Sequence, residues 1–374
     1  MNRLWTRYRD KKMPNRGGSL RLTYLSLQST SQGQAAHAHV NEIVNGLRRR
    51  GWEVTLYQPA YEGEPSKVGR LAHMLLIQVR ALTGPRPDAL YVRWHFASLL
   101  ASWVAHHRRI AVVQEVNGSY SDVYVAWPGA RRFRMIVRRA MAWQLRHADA
   151  IVTVTEDLAR ALAIESPDTP IDVITNGADT TLFSPERKSE VSTGLPSNYA
   201  VFFGALSPWQ GLSTMLLATE STAWPYDLSL VVVGDGVERT LVEEFTKTHE
   251  RVLYLGVLPY LSVGTVVAAS RCSIIAKEGD FEATGLMPLK LFESMASGVP
   301  VVVTDYPGIA DIVREHRAGV VVPPRDPEAL ARGVAKVTVE FNDFGLRARD
   351  WVVAGQSWDA RAQETDAVLR RTVG

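Results

Sequence analysis

The chain has 374 residues, a length that predicts roughly two domains. Hydrophobic residues make up 46% and charged residues 22%, and the mean hydropathy is −0.07, which excludes a disordered or fibrous chain. The one cysteine, Cys272, excludes a disulfide framework and a zinc site built from cysteines. The first residues lack the apolar core of a secretory signal, and no run approaches the ~18 apolar residues of a membrane span. We therefore expect a cytoplasmic protein that is neither exported nor transmembrane.

The net charge of +3 is unevenly distributed along the chain. Residues 1–190 contain 26 Lys and Arg against 17 Asp and Glu, a balance of +9, whereas residues 191–374 contain 16 against 22, a balance of −6. A basic first half indicates an anionic partner, such as a membrane surface, a phosphorylated substrate or a nucleic acid. Arginines that only cover a solvated surface give the same balance. Because no nucleic-acid recognition module is visible, we expect no nucleic-acid partner.

The first half of the sequence alternates strand and helix patterns. A strand over 20–27 leads through a loop of small residues, 28–34, into a helix from about 35 to 50 whose apolar residues share one face. Further strands are predicted over 53–58, 89–93, 110–115, 150–154 and 171–175. Strands separated by helical patterns predict a parallel sheet that is covered on both faces.

A segment rich in Pro, Ser, Gly and charge, 184–197, predicts a linker, and a second alternation follows it. Its strands are predicted over 199–203, 228–233, 252–254, 272–276 and 299–303, and an amphipathic helix over 358–371 closes the chain. The fold class is therefore α/β, with two doubly wound parallel-sheet domains. Such domains bind ligands at the carboxyl ends of their strands, where helix N-termini attract phosphates. The first loop lacks G-x-G-x-x-G and the chain lacks G-x-x-x-x-G-K-[ST], so hydride transfer and a P-loop NTPase are both disfavoured.

The most informative stretch is TGLMPLKLFESMASGVPVVVTD, residues 284–305. Gly285 and Pro288 predict a loop, and a helix follows from Lys290 to Ala296. Lys290 and Glu293 are three residues apart, so they share one face near the helix N-terminus. A cation and free backbone N–H groups there suit a diphosphate, and the Glu293 carboxylate can accept hydrogen bonds from ribose hydroxyls. The alternative is an exposed Lys–Glu pair that contributes little.

This stretch and several others in the same order resemble the retaining glycosyltransferases of family 4. Their second domain carries a similar P-L-K-L-F-E-x-M-A-x-G-x-P-V-V block. The other matching segments are, in chain order, Gly33 in the first loop, HADAIVTV at 147–154 before the Glu156 helix, NGADTTLF at 176–183, FGALSPWQG at 203–211, VGDG at 233–236, LGVL at 255–258 and DYPGI at 305–309. The resemblance covers residues 20 to 371, nearly the full chain.

The resemblance implies a GT-B fold, in which two Rossmann-like domains face a central cleft. An acceptor-side domain would span 1–190, a nucleotide-sugar-binding domain 191–350, and a helical segment 351–374 would cross back to the first domain with Trp358 as its anchor. It implies retaining transfer of a sugar from a UDP- or GDP-sugar to an acceptor hydroxyl, with no bound cofactor and no metal. The acceptor would be a glycan, a lipid-linked sugar or a small molecule. The implied donor-binding residues are Gly33, Gly234, Val257, Gly285, Leu286, Met287, Lys290 and Glu293.

Two departures from the family pattern concern the donor site. Members often place two glutamates eight positions apart, and here Gly285 stands where the first is expected; Glu282 or Glu278 could reach the sugar instead. We assign catalytic roles to Lys290, Glu293 and Glu282. Many members also carry Arg and Lys after the linker. Ala205 and Gln210 stand at those places, so Lys290 carries more of the phosphate binding, or the donor site is degenerate.

In the first domain, two segments follow strands and so lie at the cleft. They contain Arg93 and His95, and Glu115 and Asn117, which resemble acceptor-side positions of related enzymes. For His95 a partly buried structural histidine is the simpler interpretation. Glu115 either orients an acceptor hydroxyl or caps local backbone.

The segment RRFRMIVRRAMAWQLR, 131–146, is a basic amphipathic helix pattern. It predicts either an anchor on an anionic membrane surface, aided by the basic N-terminal residues, or a core-facing helix with a solvated Arg face.

Two further hypotheses about function stay open. One is a nucleotide-sugar 2-epimerase, and the other is a sugar- or nucleotide-binding pseudoenzyme, which Gly285, Ala205 and Gln210 suggest.

Overall fold

The protein forms two parallel sheets, each covered by helices. In the computed structural model, the described residues are 19–28, 35–61, 66–120, 123–124, 127–190, 194–279 and 287–374. Six strands make the first sheet, in the order β2-β1-β3-β4-β5-β6. Their bounds are β1 Arg21–Ser26, β2 Glu53–Tyr57, β3 Ala89–Arg93, β4 Ala111–Val116, β5 Ala150–Thr153 and β6 Ile171–Val173. The α/β prediction is confirmed for this half of the chain.

The second sheet also has six parallel strands, in the order β12-β11-β10-β7-β8-β9. Their bounds are β7 Tyr199–Phe203, β8 Ser229–Val233, β9 Val252–Gly256, β10 Cys272–Ile275, β11 Val301–Thr304 and β12 Gly319–Val322. In β8, Leu230 and Val232 pack into one apolar cluster, whereas Val231 and Val233 pack into another on the opposite face. Successive strand residues point to opposite faces, so this continuous apolar run is buried on both sides.

Helices connect the strands and cover both faces of each sheet. In the first half they are α1 Ala35–Arg49, α2 Lys67–Thr83, α3 Leu99–His107, α4 Arg134–Arg146 and α5 Glu156–Glu165. In the second half they are α6 Leu212–Ala218, α7 Arg239–Thr246, α8 Tyr260–Ala269, α9 Leu289–Ala296, α10 Ile309–Glu315, α11 Pro327–Val339, α12 Phe341–Gly355 and α13 Trp358–Val373. None of the helices within the described ranges is long and apolar enough to cross a membrane.

The last helix, α13, packs against α1 and the first sheet rather than against the second sheet that precedes it. Trp358 is buried in the apolar cluster of the first sheet, and its ring meets the His39 ring edge-on at 5.3 Å between centroids. The Trp52 indole N–H donates to the Asp366 carboxylate at 2.6 Å, and Arg50 pairs with Asp359 at 2.8 Å. Apolar burial and these polar contacts together hold the end of the chain on the first sheet.

Two sequence predictions differ from the structure. Strand β12 was not predicted, because its four residues lie at a sheet edge and carry no alternating pattern. The basic segment 131–146 is not one helix: Pro128–Phe133 forms a 3₁₀ helix, and the α-helix begins at Arg134. Within this segment, Val137, Met141 and Leu145 pack into the protein, as the core-facing alternative expects, while Phe133 stays exposed.

Candidate active site

The carboxyl edge of the second sheet is formed by closely packed backbone. Gly204 follows β7, and Gly234 follows β8 with a φ of +133°. A Cβ atom on Gly234 would lie 1.9 Å from the carbonyl oxygen of Gly204, so no other residue fits there. The Tyr254 hydroxyl donates to the Gly234 carbonyl at 2.9 Å. This edge is where doubly wound sheets bind ligands, and the two glycines themselves add no side chain to it.

Lys290 lies in the first turn of α9 and reaches this edge. Its Nζ donates to Gln210 Oε1 at 2.8 Å and lies 4.1 Å from the centroid of the Phe202 ring. The same Nζ lies 3.6 Å from where a Cβ on Gly204 would be. Burial, together with the like charge of Lys277, lowers the pKa of Lys290 to about 7. An anion bound at this edge stabilises the charged ammonium form.

Glu293 lies one turn further along α9 and is also buried. It accepts a hydrogen bond from the Tyr260 hydroxyl at 2.5 Å, and burial raises its pKa to about 7. Lys290 is 8% exposed and Glu293 is 5% exposed. The alternative of an exposed surface pair is therefore wrong. Each of the two side chains has its own partner, and both lie in a site of low solvent access.

The loop after β7 lies in close contact with the end of β10. Gln210 ends a 3₁₀ turn, Pro208–Gln210, and Gly211 has a φ of +65°. A Cβ on Gly211 would lie 2.1 Å from the Ala276 carbonyl oxygen. Glu278, a suggested substitute for the missing glutamate, accepts from the Thr214 hydroxyl and lies 3.7 Å from the Arg325 guanidinium. Its carboxylate is thus engaged within the second domain.

The other predicted donor-site residues divide into two sets. Val257 follows β9 and is highly exposed, whereas Met287 is buried at the start of α9 and its carbonyl accepts from Asn176 Nδ2 at 2.5 Å. Four further residues lie outside the described ranges: Gly33, Glu282, Gly285 and Leu286. Their assignments stay predictions.

On the first sheet, the acceptor-side residues Arg93 and Asn117 contact the buried carboxylate of Glu115. Tyr24 donates to it at 2.6 Å, Arg93 at 2.9 Å, and Asn117 also donates to it. Burial alone opposes the charge, but electrostatic attraction to His39 and Arg93, together with these hydrogen bonds, holds the pKa of Glu115 well below its usual range. The Glu115 carboxylate is thus bound by donors of the protein itself, and an acceptor-side role for it stays a prediction.

His39, on α1, was missed by sequence reasoning and links the two halves of the site. Its Nε2 lies 3.0 Å from Glu115 Oε1, and its Nδ1 lies 2.9 Å from Asn176 Oδ1. Asn176 in turn donates to the carbonyl of Met287, so its Oδ1 faces His39 as an acceptor. The His39 ring therefore bridges the Glu115 carboxylate on the first sheet and Asn176. In the sequence, only its place near the start of the helix after the first loop could have indicated it.

His95 is not part of this cluster. Its Nδ1 accepts from the Ala97 amide at 3.2 Å and caps the short helix Phe96–Ser98, while its carbonyl accepts from Gln144 at 3.2 Å. Burial lowers its pKa to about 4, so the ring is neutral at physiological pH. These contacts match the structural interpretation of His95.

No group of three or more His, Cys, Asp and Glu side chains is arranged to hold a metal ion in the parts of the chain that the structure describes. A metal-independent reaction is implied by the resemblance to family 4 and stays a prediction. Lys290 and the α9 N-terminus both place positive charge at this edge, as an anionic ligand requires.

Comparisons with known proteins agree with this geometry. A family model described as Glycosyltransferase Family 4 matches residues 36–182, and one described as Glycosyl transferases group 1 matches residues 197–338. A GDP-mannose-dependent alpha-(1-6)-phosphatidylinositol monomannoside mannosyltransferase of Mycobacterium tuberculosis is 24% identical over 89% of this chain and 94% of its own. A GDP-mannose-dependent alpha-mannosyltransferase of Mycolicibacterium smegmatis is 27% identical over 89% and 93%.

Solved structures show the same architecture. Sucrose-phosphate synthase from Thermosynechococcus elongatus has a TM-score of 0.74 at 16% identity and covers 94% of this chain and 98% of its own. Anabaena HepE in complex with UDP and glucose has a TM-score of 0.72 at 17% identity, with 94% and 99% covered. These likenesses support the GT-B fold. The two family models occupy the two sheets in turn, and the chain belongs to the glycosyltransferases of family 4, with a GT-B fold.

Proposed function

We propose that this glycosyltransferase moves a sugar, with retained anomeric configuration, from a nucleoside diphosphate sugar to an acceptor hydroxyl in glycan, polysaccharide or glycolipid synthesis. The observation that carries the proposal is the buried Lys290 ammonium beside the glycine-lined edge of the second sheet. Retention is tested by following the anomeric proton of the product by NMR. A product of inverted configuration contradicts the proposal.

The diphosphate would lie between Lys290, the first-turn amides of α9 and the backbone of Gly204 and Gly234. Departure of the nucleoside diphosphate leaves negative charge on its phosphate oxygens, and each well-placed donor contributes about 2.7–4 kcal/mol to such a transition state. Glu293 would accept from ribose hydroxyls, with the base near the exposed Val257 backbone. The donor thereby enters between the two halves of the chain, beside the Asn176–Met287 contact.

GDP-mannose is the donor to test first, since the mannosyltransferases that match about nine-tenths of this chain are named for it. UDP-sugars follow, because a structural neighbour was solved with UDP and glucose. Thermal unfolding with GDP-mannose, UDP-glucose and a dTDP-sugar separates the donors. A ligand at ~100 times its Kd stabilises the folded state by roughly 2.7 kcal/mol. A panel in which no nucleotide sugar raises the Tm contradicts the proposal.

Activity assays with and without an acceptor distinguish the two alternative functions from the proposed one. An epimerase interconverts the free nucleotide sugar without acceptor, and a pseudoenzyme binds donor but releases no nucleoside diphosphate with any acceptor. The family matches and the names of the relatives do not favour the epimerase. We expect nucleoside diphosphate release that is slow alone and accelerates when an acceptor is added.

We further propose that the first domain docks on an anionic lipid surface, which would place the enzyme at the inner face of the membrane. Residues 66–148 contain 13 Lys and Arg but 3 Asp and Glu. Helices α2, α3 and α4 lie side by side on one face of the first sheet, and they expose apolar side chains among these cations. The exposed large apolar residues are Val68, Leu71, Leu75, Leu76, Val79, Leu100, Trp103, Met135 and Ile136 on these helices, and Phe133 in the 3₁₀ helix just before α4.

A surface that combines cations with exposed apolar side chains suits an anionic membrane, which offers negative headgroups and an apolar interior together. Each Lys or Arg near such a surface contributes on the order of 1 kcal/mol. The arginines Arg131, Arg132 and Arg134 adjoin the exposed Phe133 and are themselves exposed. The basic N-terminal residues, Arg3 to Arg16, lie outside the described ranges. Co-sedimentation with anionic and neutral vesicles at low and high salt tests the proposal; equal recovery in the supernatant in all four conditions contradicts it.

The division into 1–190, 191–350 and 351–374 is part of the same proposal. The packing of α13 on α1 supports the return of residues 358–373 to the acceptor-side unit, whereas residues 351–355 complete α12, whose Val352 packs in the core of the second sheet.

A further inference from the structure

We infer that Gln210 is a positioning residue of the donor site: its amide oxygen holds the Lys290 ammonium group beside the glycine-lined edge of the second sheet, where a diphosphate would bind. The inference rests on the proposed function, because it concerns the same site. In the sequence, Gln210 stands where many members of the family carry a cation, so it counts there only as a missing charge. In the structure it has a contact of its own.

The amide oxygen of Gln210 is the hydrogen-bond acceptor of Lys290. The two atoms, Lys290 Nζ and Gln210 Oε1, are 2.8 Å apart. Within the described ranges no other oxygen accepts from this ammonium group, and Glu293, one turn further along α9, accepts from the Tyr260 hydroxyl instead. An ammonium group carries three N–H donors, so two of them remain for a ligand.

The backbone fixes the place from which Gln210 reaches Lys290. The Gln210 amide donates to the Ser207 carbonyl at 2.9 Å, within the turn that includes the 3₁₀ helix Pro208–Gln210. The next residue, Gly211, has a φ of +65°, and a Cβ on it would lie 2.1 Å from the Ala276 carbonyl oxygen. The loop is therefore tied to the end of β10, and the side chain of Gln210 starts from a fixed point.

The contact with Gln210 keeps the ammonium group beside open backbone. Lys290 Nζ lies 3.6 Å from where a Cβ on Gly204 would be, and Gly204 is exposed. The same Nζ lies 4.1 Å from the centroid of the buried Phe202 ring. An amide oxygen and an aromatic face both stabilise an ammonium group, and neither cancels its charge. The charge therefore stays available to an anion beside Gly204.

A cation in place of Gln210 would act against Lys290. Burial and then the charge of Lys277, which follows β10, lower the pKa of Lys290 to about 7, while Glu293 acts in the opposite direction. A further cation at position 210 would lower this pKa again, because a like charge disfavours the charged form. The neutral amide of Gln210 instead accepts a hydrogen bond that is stronger from the ammonium than from the neutral amine. Glutamine thus favours the charged form of Lys290 before the donor binds.

The experiment measures the affinity for nucleotide sugars at two pH values. GDP-mannose, UDP-glucose and the nucleosides guanosine and uridine are titrated by calorimetry at pH 6 and pH 8. The proteins are the wild type, Gln210→Met, Gln210→Glu and the control Gln363→Met, whose glutamine is exposed on α13. The diphosphate of a nucleotide sugar is esterified at both ends, so its charge is the same at both pH values. Glu293 titrates in the same range in every variant, so only differences between the proteins bear on Gln210.

We expect Gln210→Met to bind the preferred nucleotide sugar about tenfold to hundredfold more weakly than the wild type at pH 8, because Lys290 loses the acceptor that favours its charged form. The loss should be several times smaller at pH 6, where more of Lys290 carries its proton. Gln210→Glu keeps an acceptor oxygen and adds a negative charge that raises the pKa of Lys290, so its affinity should fall less than that of the wild type between pH 6 and pH 8. Nucleoside binding should be equal in all four proteins, and Gln363→Met should match the wild type throughout.

Wild-type affinity in Gln210→Met at pH 8, or a loss that is equal at pH 6 and pH 8, overturns the inference. An equal loss for the nucleotide sugar and its nucleoside also overturns it, because the loop rather than the Lys290 contact is then disturbed. If Gln210→Met fails to fold, Gln210→Glu decides, and a fall in affinity as steep as that of the wild type is the contrary result. A wild type that binds neither nucleotide sugar contradicts the proposed function itself, and the inference falls with it.

Discussion

Lys290→Met should abolish most of the activity and yet leave the donor-free protein more stable at neutral pH. The lysine is almost fully buried, and its pKa falls from 10.5 to about 7. This shift corresponds to roughly 5 kcal/mol of extra free energy for the charged form near pH 7. The attraction to the Phe202 ring offsets at most about 2 kcal/mol of that cost, and methionine keeps the apolar stem in place.

The effect on catalysis has the opposite sign, because the donor's diphosphate makes the buried ammonium favourable. Loss of one such group costs about 100-fold to 1,000-fold in kcat. The stability gain should shrink as pH rises towards 10.5, because the folded wild type with its lowered pKa regains stability as the lysine of the unfolded chain loses its proton. The assays are nucleoside diphosphate release and urea unfolding at pH 7 and pH 9, with Lys247→Met, at an exposed surface lysine on the second half of the chain, as control. Wild-type kcat/KM in Lys290→Met refutes the site, and a less stable variant at pH 7 refutes the burial argument.

Three more predictions follow from the same contacts. Donor binding at pH 8 should take up a proton, because the diphosphate restores the charge of Lys290; calorimetry in two buffers of different ionisation enthalpy measures it, and equal heats contradict it. The stability advantage of Glu293→Gln over the wild type should be larger at pH 8 than at pH 5. The wild type loses stability as pH rises from the usual carboxyl pKa of 4.5 to the raised pKa of about 7, because the buried carboxyl must then lose its proton. Urea unfolding at the two pH values measures the advantage, and an equal advantage at both contradicts the prediction. Asn176→Ala should lower the free energy of unfolding by about 1–3 kcal/mol, because it leaves the Met287 carbonyl and His39 without their partner, whereas the exposed Asn45→Ala should not; equal losses in both variants contradict the link.

The sequence predicted the alternation of strands and helices well because both sheets are buried on two faces. A strand buried on both faces, such as Ser229–Val233, is nearly all apolar, whereas the helices between the strands show apolar residues every three to four positions. Strand β12 escaped notice because four residues at an edge contain too little pattern. The segment over 131–146 was predicted as one helix, since its period could not show that Pro128–Phe133 begins as a 3₁₀ turn.

The candidate site was predicted in part, where a motif spans consecutive residues. Lys290 and Glu293 lie on one helix, so their spacing shows that they share a face. Contacts between distant segments have no such signal: His39 meets residues 76 and 137 positions away. Burial also changed the interpretation of Glu115, because a carboxylate with four protein neighbours cannot be told from a free one in a sequence.

A crystal structure of the protein with the nucleoside diphosphate of its preferred donor tests the central claim most directly. We predict that the diphosphate lies against Lys290 and the backbone of Gly204 and Gly234, at the carboxyl edge of the second sheet. A nucleotide bound elsewhere, or a diphosphate that does not contact Lys290, would contradict the proposed donor site.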